Sequence, residues 1–412
     1  MTHAPQERPA RRRPRPAGRG HVSAALALTA TTLVLAAPPA AAAGGQSVRL
    51  PVMPARLADG ADCTAESTTT ATATPWEHQS LELTPAARIS QGAGVKVGVV
   101  DTGVSTGAPA LAGRVDALGP AADDCVGHGT FVAGLIAAAP VKGVAFHGVA
   151  PRAGIVAARG TDERGTPSAA QVAAGIRGAV DAGAEVVEVS AAFETRSAAL
   201  DDAVAYAARH DALIVAAAVP DPPDDATAAA STPAPRDYWP AASPGVLGVV
   251  DVDVQGARPD DALSPAHADL AAPGDGVVGV GPAGSGHFVG SGASFAAAYT
   301  AGAAALVRSA FPDLSAAEAA RRLIATAYPD DVPRLDAYAA VASVTDGGTA
   351  AAPAAAGRND AVVRLPDRTP GDRATRTALL VAAAGAGTVL LVGWAALAVP
   401  RGRARGWRPT HR

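Results

Sequence analysis

The sequence has little of what marks a nucleic-acid-binding or metal-dependent protein. Its formal net charge is only -4 over 412 residues, and no basic stripe runs through the middle of the chain, which argues against nucleic-acid binding. No acidic cluster has metal-site spacing, so we predict neither a required metal nor a cofactor. Aromatic residues make up 4% of the chain, and much of its 49% hydrophobic content is alanine. That composition still suffices for a large core, and the length allows one large domain or two average ones.

Histidine is scarce near the C-terminus, and this scarcity excludes one class of serine hydrolase. Ser294 lies in a run of small residues, 292–298, and the only histidine after it is His411, beyond an apolar segment. An α/β-hydrolase needs its histidine after the serine. A chymotrypsin-like order needs a histidine before the acid. His78 does precede Asp101, but no Gly-Asp-Ser-Gly-Gly surrounds any serine of this chain.

Three short motifs supply an acid, a base and a hydroxyl in that order along the chain. Asp101 lies in Val-Asp-Thr-Gly, His128 in Gly-His-Gly-Thr, and Ser294 in Gly-Ala-Ser-Phe. Acyl transfer by serine needs a hydroxyl, an imidazole that takes its proton, and a carboxylate that holds the imidazole in the right tautomer. Each motif alone has an ordinary explanation as a turn or a helix cap. Together, in the order Asp–His–Ser, they predict a serine protease.

Short β-branched runs alternate with amphipathic stretches through the middle of the chain. This alternation predicts an α/β fold with a mostly parallel sheet covered by helices on both faces. Ser168 and Ser315 each open a helix with a capping-box pattern. The predicted strands are Val95–Val100, Ile155–Ala158, Glu185–Ser190, Ala212–Val219 and Val246–Val254. The predicted helices run from His128 to Ala138, from Ser168 to Asp181, over Ala198–Arg209, from Ser294 to Ala310, and from Ser315 onward.

These motifs resemble those of the subtilisin-like serine proteases over residues 76–338, roughly two-thirds of the chain. The whole layout is similar to that of the mycosins, membrane-anchored proteases associated with type VII secretion. The resemblance implies the subtilisin-like fold and a peptide or protein substrate. It also implies that Asp101 orients the base, that His128 is the general base, and that Ser294 is the nucleophile. The Ser294 backbone amide is then the expected donor to the oxyanion.

The sequence departs from the subtilisin pattern around the oxyanion hole. Pro220 stands where the family has an asparagine that donates to the oxyanion, and proline has neither a side-chain donor nor a backbone N–H. In subtilisin itself, loss of that donor costs about 10²–10³ in kcat, roughly 2.7–4 kcal/mol. Ala293 and Ala298 replace the family's threonine and proline beside the nucleophile. We therefore expect a weakened peptidase or, alternatively, an impaired pseudoprotease that serves as a structural component of a secretion complex.

Further departures lie near the sheet centre and in the segment 220–244, which we predict to be a loop. Glu188-Val189-Ser190 replaces the family's Asn-x-Ser, and Ala191-Ala192 replaces its Leu-Gly, so the Ala192 methyl is expected to narrow the path of a bound substrate strand. Hydroxyls in the loop are candidates for a replacement oxyanion donor, whereas its carboxylates are expected to repel the oxyanion. The hydroxyls are those of Thr227, Ser231 and Thr232, and the carboxylates those of Asp221 and Asp224.

The two ends of the chain predict export and membrane anchoring. An arginine-rich region, an uncharged stretch and an alanine run form an expected signal peptide. Residues 378–399 carry no charge over 22 residues, enough to span a hydrocarbon core of roughly 30 Å, and arginines follow directly. We expect a single-pass membrane protein with an extracytoplasmic peptidase domain and a cytoplasmic C-terminus. The predicted organisation is signal peptide 1–43, N-terminal extension 44–75, peptidase domain 76–344, linker 345–377, transmembrane helix 378–399 and basic tail 400–412.

Only two cysteines occur, Cys63 and Cys125. An even number of cysteines in an exported protein suggests a disulfide. Such a bond is expected to tether the N-terminal extension to the loop just before His128.

Overall fold

A seven-stranded parallel sheet forms the centre of the larger of two compact units, Met1–Ala342 and Ser343–Arg412. The computed structural model describes residues 49–222, 234–260, 262–344 and 369–406. The strands within these ranges are β1 (Lys96–Asp101), β2 (Val115–Ala117), β3 (Gly154–Arg159), β4 (Val186–Val189), β5 (Leu213–Ala217), β6 (Leu247–Val252), β7 (Leu270–Pro273), β8 (Val277–Val280) and β9 (His287–Gly290). The order in the main sheet is β2-β3-β1-β4-β5-β6-β7, and β8 and β9 form a separate antiparallel pair.

Helices cover both faces of the main sheet. They are α1 (Trp76–Ser80), α2 (Leu83–Ala86), α3 (His128–Ala137), α4 (Ala169–Asp181), α5 (Ala198–Arg209), α6 (Ala293–Ala310), α7 (Ala316–Thr326) and α8 (Ala337–Ala342). Helices α3 and α6 share one hydrophobic cluster, and α4 and α5 share another. Within β1, Val99 belongs to the first cluster and Val100 to the second, as the alternation of side chains along a strand requires. The predicted α/β fold is confirmed.

The alanine-rich composition is explained by helix α6, which carries Ser294 near its start. All residues of this helix from Ala293 to Arg308 are buried, so it lies within the molecule rather than on its surface. Small side chains let the helix approach the sheet closely. The apolar area that aromatic residues supply in other cores is therefore replaced here by close packing of backbone and methyl groups.

The capping pattern is correct at one of the two predicted helix starts. At Ser315, the side chain accepts from the Glu318 amide, and the Glu318 carboxylate accepts from the Ser315 amide at 2.8 Å. At Ser168 the predicted helix does begin, with Ser168 at its N-cap, but the predicted capping box is absent because that side chain makes no capping hydrogen bond. Gln171, the expected partner, donates instead to the Thr161 carbonyl at 3.2 Å.

The N-terminal extension is fixed to the peptidase body beside helix α3. Cys63 and Cys125 form a disulfide, as the sequence predicts. The neighbouring Thr64 donates its amide to the Cys125 carbonyl at 2.9 Å and its hydroxyl to the Val126 carbonyl at 2.6 Å. Further upstream, the Met53 amide donates to the Val289 carbonyl at 2.8 Å, so the extension also pairs with β9. The predicted signal peptide, residues 1–43, lies outside the described residues.

The second unit contains one long helix, α9 (Thr369–Ala404). It begins upstream of residue 378, where the transmembrane helix is expected to start, and it contains the whole of the expected segment 378–399. Pro370 lies in the first turn, where its missing N–H costs no helical hydrogen bond. The segment Leu380–Ala404 has a mean hydropathy of 2.0 and is long and apolar enough to cross a membrane. Residues 345–368 of the expected linker are outside the described ranges.

The buried side chain of Glu77 joins α1 to β8 and α6. Its Oε1 accepts from the Val278 amide at 2.9 Å and from the Tyr299 hydroxyl at 3.2 Å. Among the described residues, Oε2 has no hydrogen-bond partner. Burial raises the pKa of Glu77 from 4.5 to about 7 although these donors lower it, so the folded protein favours the neutral acid.

We predict that opening the disulfide destabilises the peptidase unit. The bond closes a loop with a sequence separation of 62 residues, which corresponds to about 4 kcal/mol in the chain-entropy model. The double variant Cys63→Ser/Cys125→Ser should lose about that much unfolding free energy in denaturant titrations of the full chain. Unchanged midpoints in oxidised parent and double variant would contradict the prediction.

We also predict that Glu77→Gln removes a pH-dependent loss of stability. The folded pKa lies above the unfolded value, so the contribution of Glu77 is complete below pH 4.5 and is lost as the pH rises through about 7. As the pH rises between those values, the unfolding free energy of the parent should fall by up to about 3 kcal/mol relative to that of Glu77→Gln. Denaturant titrations of both proteins across this range test it. Parallel stability curves would show that Glu77 is not the group responsible.

Candidate active site

Three chain segments meet at the carboxyl end of the sheet, where ligand sites of parallel α/β folds lie. Asp101 is the last residue of β1, His128 is the first residue of α3, and Ser294 is the second residue of α6. All three are buried, with exposed fractions of 3%, 5% and 0%. The structure thus brings together the three residues that the sequence motifs single out.

The imidazole of His128 bridges the acid and the hydroxyl. Its Nδ1 lies 2.8 Å from Asp101 Oδ2 and 3.0 Å from Oδ1, and its Nε2 lies 3.2 Å from Ser294 Oγ. A carboxylate on Nδ1 keeps the proton there in the neutral tautomer, so that the lone pair of Nε2 faces the hydroxyl. The arrangement is chemically able to move a proton from Ser294 to His128.

Asp101 is held as a carboxylate by the groups around it. Burial opposes ionisation, but the charge and N–H of His128 outweigh it, together with donors from the Ser190 hydroxyl at 2.5 Å and the Thr102 amide at 2.5 Å. The pKa of Asp101 therefore lies below its ordinary value. Burial also opposes protonation of His128, but Asp101 and then Asp221 raise the pKa of the imidazole well above 6.5.

A second carboxylate, that of Asp221, also lies against the hydroxyl. Its Oδ1 accepts from the Ser294 amide at 3.0 Å, and its Oδ2 accepts from the Ser294 hydroxyl at 2.5 Å and lies 3.2 Å from His128 Nε2. From the sequence, Asp221 is expected only to be a poor replacement for the missing oxyanion donor. Pro220, at the usual asparagine position, lines a cleft that Asp221 also lines, and it supplies no donor. The other candidates, Asp224, Thr227, Ser231 and Thr232, fall in 223–233, outside the described residues.

Asp221 fits its place because residue 292 is glycine. A Cβ at Gly292 would lie 2.2 Å from Asp221 Oδ1, a distance that no real Cβ contact shows. The Asp221 side chain is only 10% exposed. No local sequence signal indicates this contact, because Asp221 and Gly292 are brought together only by the folded chain.

Glu188, the other unexpected acid, lies in the middle of β4 and is fully buried. The Ser190 hydroxyl lies 2.9 Å from Glu188 Oε1 and 2.5 Å from Asp101 Oδ2. Burial, and next the charge of Asp101, raise the pKa of Glu188 well above 4.5. Because the hydroxyl has a single proton, we assign that proton to the bond with Asp101. Burial thus favours the neutral form of Glu188, which competes less strongly than the Asp101 carboxylate for the Ser190 proton.

Asp124 ties the end of β1 to the start of α3. Its carboxylate accepts from the Thr102 hydroxyl at 2.8 Å, the Gly127 amide at 2.8 Å, and both the amide and hydroxyl of Thr130, at 2.8 and 2.7 Å. An acidic side chain at a helix N-terminus satisfies N–H groups that have no partner within the helix. Asp124 thereby fixes the position of His128 relative to Asp101, a role that the sequence analysis missed.

A cleft opens beside these residues, and Ser294 does not line it. Ala191 and Ala192, which replace the Leu-Gly of the subtilisin pattern, line the cleft together with Asp221. Arg56 of the N-terminal extension lines it too. In the parts of the chain that the structure describes, no group of three or more His, Cys, Asp or Glu side chains could hold a metal ion.

The family model described as "Subtilase family" matches residues 92–365. This chain belongs to the subtilase family. It is a serine protease of that family, and the expected resemblance to the mycosins is confirmed. Mycosin-4 of Mycobacterium tuberculosis is 32% identical over 378 residues, which cover 80% of this chain and 82% of mycosin-4.

Solved structures agree with this assignment. One is the serine protease MycP1, described as an essential component of the type VII (ESX-1) secretion system. Its TM-score is 0.61 at 27% identity, and the match covers 72% of this chain and 96% of MycP1. A chain in the periplasmic assembly from the ESX-5 inner membrane complex matches with a TM-score of 0.61 at 28% identity, covering 74% of this subtilase and 97% of that chain.

We predict that Asp124→Asn impairs the site without touching its reacting atoms. An asparagine keeps one acceptor oxygen but turns an NH₂ group toward buried donors, which costs about 1–3 kcal/mol of unfolding free energy. Displacement of His128 should slow labelling by a fluorophosphonate probe by up to about 10²-fold. The matched control is Asp123→Asn, because the Asp123 side chain is exposed. Equal labelling rates in the two variants would exclude the positioning role.

Proposed function

We propose that this subtilase is a membrane-anchored serine endopeptidase of a type VII secretion system. The observation that carries the catalytic part is the continuous contact from Asp101 through His128 to Ser294, at 2.8 and 3.2 Å. The sequence context of the serines supports neither rival order of acid, base and serine, and the subtilase family uses the same chemistry.

The proposed reaction has two half-reactions, in which Ser294 is first acylated and then deacylated. Ser294 Oγ attacks the peptide carbonyl carbon while its proton passes to His128 Nε2, and Asp101 holds the resulting imidazolium. The Ser294 amide donates to the carbonyl oxygen as it becomes negative. His128 then gives its proton to the leaving amine as the C–N bond breaks. Water repeats the sequence on the acyl-enzyme and releases the peptide acid.

The oxyanion hole is the weak part of this mechanism. Pro220 has no donor to offer, and the Ser294 amide is occupied by Asp221 in the resting site. Loss of one oxyanion donor in subtilisin costs about 10²–10³ in kcat. We therefore propose low activity against ordinary peptides.

Membrane anchoring and the secretion partner are supported by α9 and by the relatives. Side chains along this helix are apolar and exposed, for example Leu390 at 74% and Trp394 at 70%. Arg401, Arg403 and Arg405 follow the uncharged stretch, and this arginine enrichment supports a cytoplasmic C-terminus with the peptidase unit on the other side of the membrane. A relative within a periplasmic ESX-5 assembly fits this orientation and a type VII complex as partner.

A second function is favoured by the Asp221 contact. A carboxylate on the nucleophile and its amide is what a non-catalytic protein tolerates, so the alternative is a pseudoprotease that acts as a structural part of the secretion complex. The two functions differ in what they require of Ser294. A structural component needs the whole chain but not the hydroxyl, whereas a peptidase needs both.

We predict that proteolysis depends on Ser294. Full-length protein in detergent should cleave internally quenched peptides slowly, Ser294→Ala should lose this cleavage entirely, and Ser197→Ala should match the parent. Ser197 is a suitable control because it lies at the start of α5 and makes no capping hydrogen bond there.

The same variants separate the two functions in cells. Absence of Ser294-dependent cleavage at every pH from about 6 to 10 would end the peptidase proposal. If secretion is then normal with Ser294→Ala but fails when the whole protein is deleted, the structural function is correct.

A further inference from the structure

The Asp221 carboxylate occupies the place where a substrate carbonyl has to bind. Acyl transfer needs three groups free on the substrate side: the Ser294 hydroxyl, the Ser294 amide and His128 Nε2. The Asp221 carboxylate lies 2.5 Å from the Ser294 hydroxyl, 3.0 Å from the Ser294 amide and 3.2 Å from His128 Nε2. One oxygen lies at the amide and the other between hydroxyl and imidazole, so the carboxylate resembles the acid of a bound product peptide.

The nucleophile is covered as a result. Ser294 has no exposed surface, and it lines neither of the two clefts that meet beside His128. Asp221 lines both of them. Its side chain therefore stands between Ser294 and the space from which a substrate approaches.

The covering side chain is also packed firmly. Its Oδ1 lies against Gly292, where a Cβ would be only 2.2 Å away, and its exposed fraction is 10%. Any substrate carbonyl that reaches Ser294 has to displace this carboxylate and break three hydrogen-bonding contacts. Contacts made in the resting site and lost on substrate binding raise the free energy of the reaction path.

We propose that Asp221 is an internal competitor of the substrate that masks Ser294 and its amide in the resting protein. The proposal rests on the proposed role of Ser294 as nucleophile. The masking effect differs from the loss of a donor at Pro220. The mask adds a negatively charged group beside Ser294, whereas Pro220 leaves a hydrogen-bond donor missing. Removal of the mask should therefore raise the reactivity of Ser294, whereas removal of a needed residue lowers it.

The charges around Asp221 also predict how removal of this residue changes the pKa of His128. His128 from α3 is the cation in contact with it, and the acids that face the same space are Asp101 from β1, Glu188 from β4 and Asp251 from β6. Asp251 is paired with Arg258, and Arg56 lines the cleft beside Asp221. The imidazolium is thus stabilised by Asp101 and Asp221 together, and loss of Asp221 should lower the pKa of His128.

The test measures labelling of Ser294 in the full-length protein by a fluorophosphonate probe, which forms an Oγ–P bond, loses fluoride and passes the hydroxyl proton to His128. Asp221→Ala removes the mask, and Asp221→Asn keeps its shape without the charge. Freeing the Ser294 amide restores one oxyanion donor, worth about 10²–10³ in rate, so Asp221→Ala should label at least about tenfold faster than the parent. Asp221→Asn keeps an acceptor for the amide but loses the negative charge that opposes the oxyanion, so it should label faster than the parent by a smaller factor than Asp221→Ala. The midpoint of the acidic limb of the rate against pH should also move to lower pH.

The matched control is Asp202→Asn, which removes one exposed negative charge from α5 and should change neither the rate nor the midpoint. Labelling of Asp221→Asn has to disappear when Ser294→Ala is added. Circular dichroism confirms that each variant is folded. Folded Asp221 variants that label no faster than the parent, or not at all, overturn the proposal.

The mask and the proposed function fail in different ways. If Asp221 variants label rapidly at Ser294 and yet no variant cleaves peptides, the mask stands and the endopeptidase proposal is lost. If the parent cleaves peptides and the Asp221 variants are slower in both assays, the peptidase stands. Asp221 is then a residue that the reaction needs, and the mask is excluded.

Discussion

The buried contact between His128 and Asp101 is the interaction on which the rest of the site depends. Both side chains are almost fully removed from water, and leaving either one unpaired would cost about 3–5 kcal/mol. The fold supports this pair from two sides. Asp124 fixes the start of α3 to the residue after Asp101, and Ser190 donates to the carboxylate from the end of β4. Because both supports come from neighbouring strand and helix ends, the order of strands in the sheet determines the geometry of the site.

The site holds more acids than the imidazole of His128 can balance alone. Asp101, Asp221 and Glu188 all lie near His128, and three buried carboxylates cannot all be ionised beside one imidazolium without a large desolvation cost. The structure resolves this excess with two different environments. Glu188 lies within the sheet, where burial favours the neutral acid, and it contacts the Ser190 hydroxyl. Asp221 lies at the cleft, where the imidazolium and the Ser294 amide and hydroxyl surround its two oxygens.

The sequence predicts features that depend on residues adjacent along the chain. It misses contacts between residues that only folding brings together. The motifs around Asp101, His128 and Ser294 are local, because each is a short run of consecutive residues. The Ser315 cap is local too, and it is correct, whereas at Ser168 the partner residue bonds elsewhere in the fold. The position of Asp221 has no local signal. It follows from where the chain leads after β5 and from the open space at Gly292, two segments that lie far apart in sequence.

Asp221 also satisfies the backbone at the start of α6. The Ser294 amide lies at the start of a buried helix, and a buried N–H without an acceptor costs about 1–3 kcal/mol. The carboxylate satisfies this amide and the hydroxyl beside it, so it stabilises the folded protein through the same contacts that obstruct chemistry. Stability and activity are opposed at this one side chain, as they commonly are in catalytic sites. A site of this kind can keep its acid, base and hydroxyl in register while its reactivity is governed by a single neighbouring carboxylate.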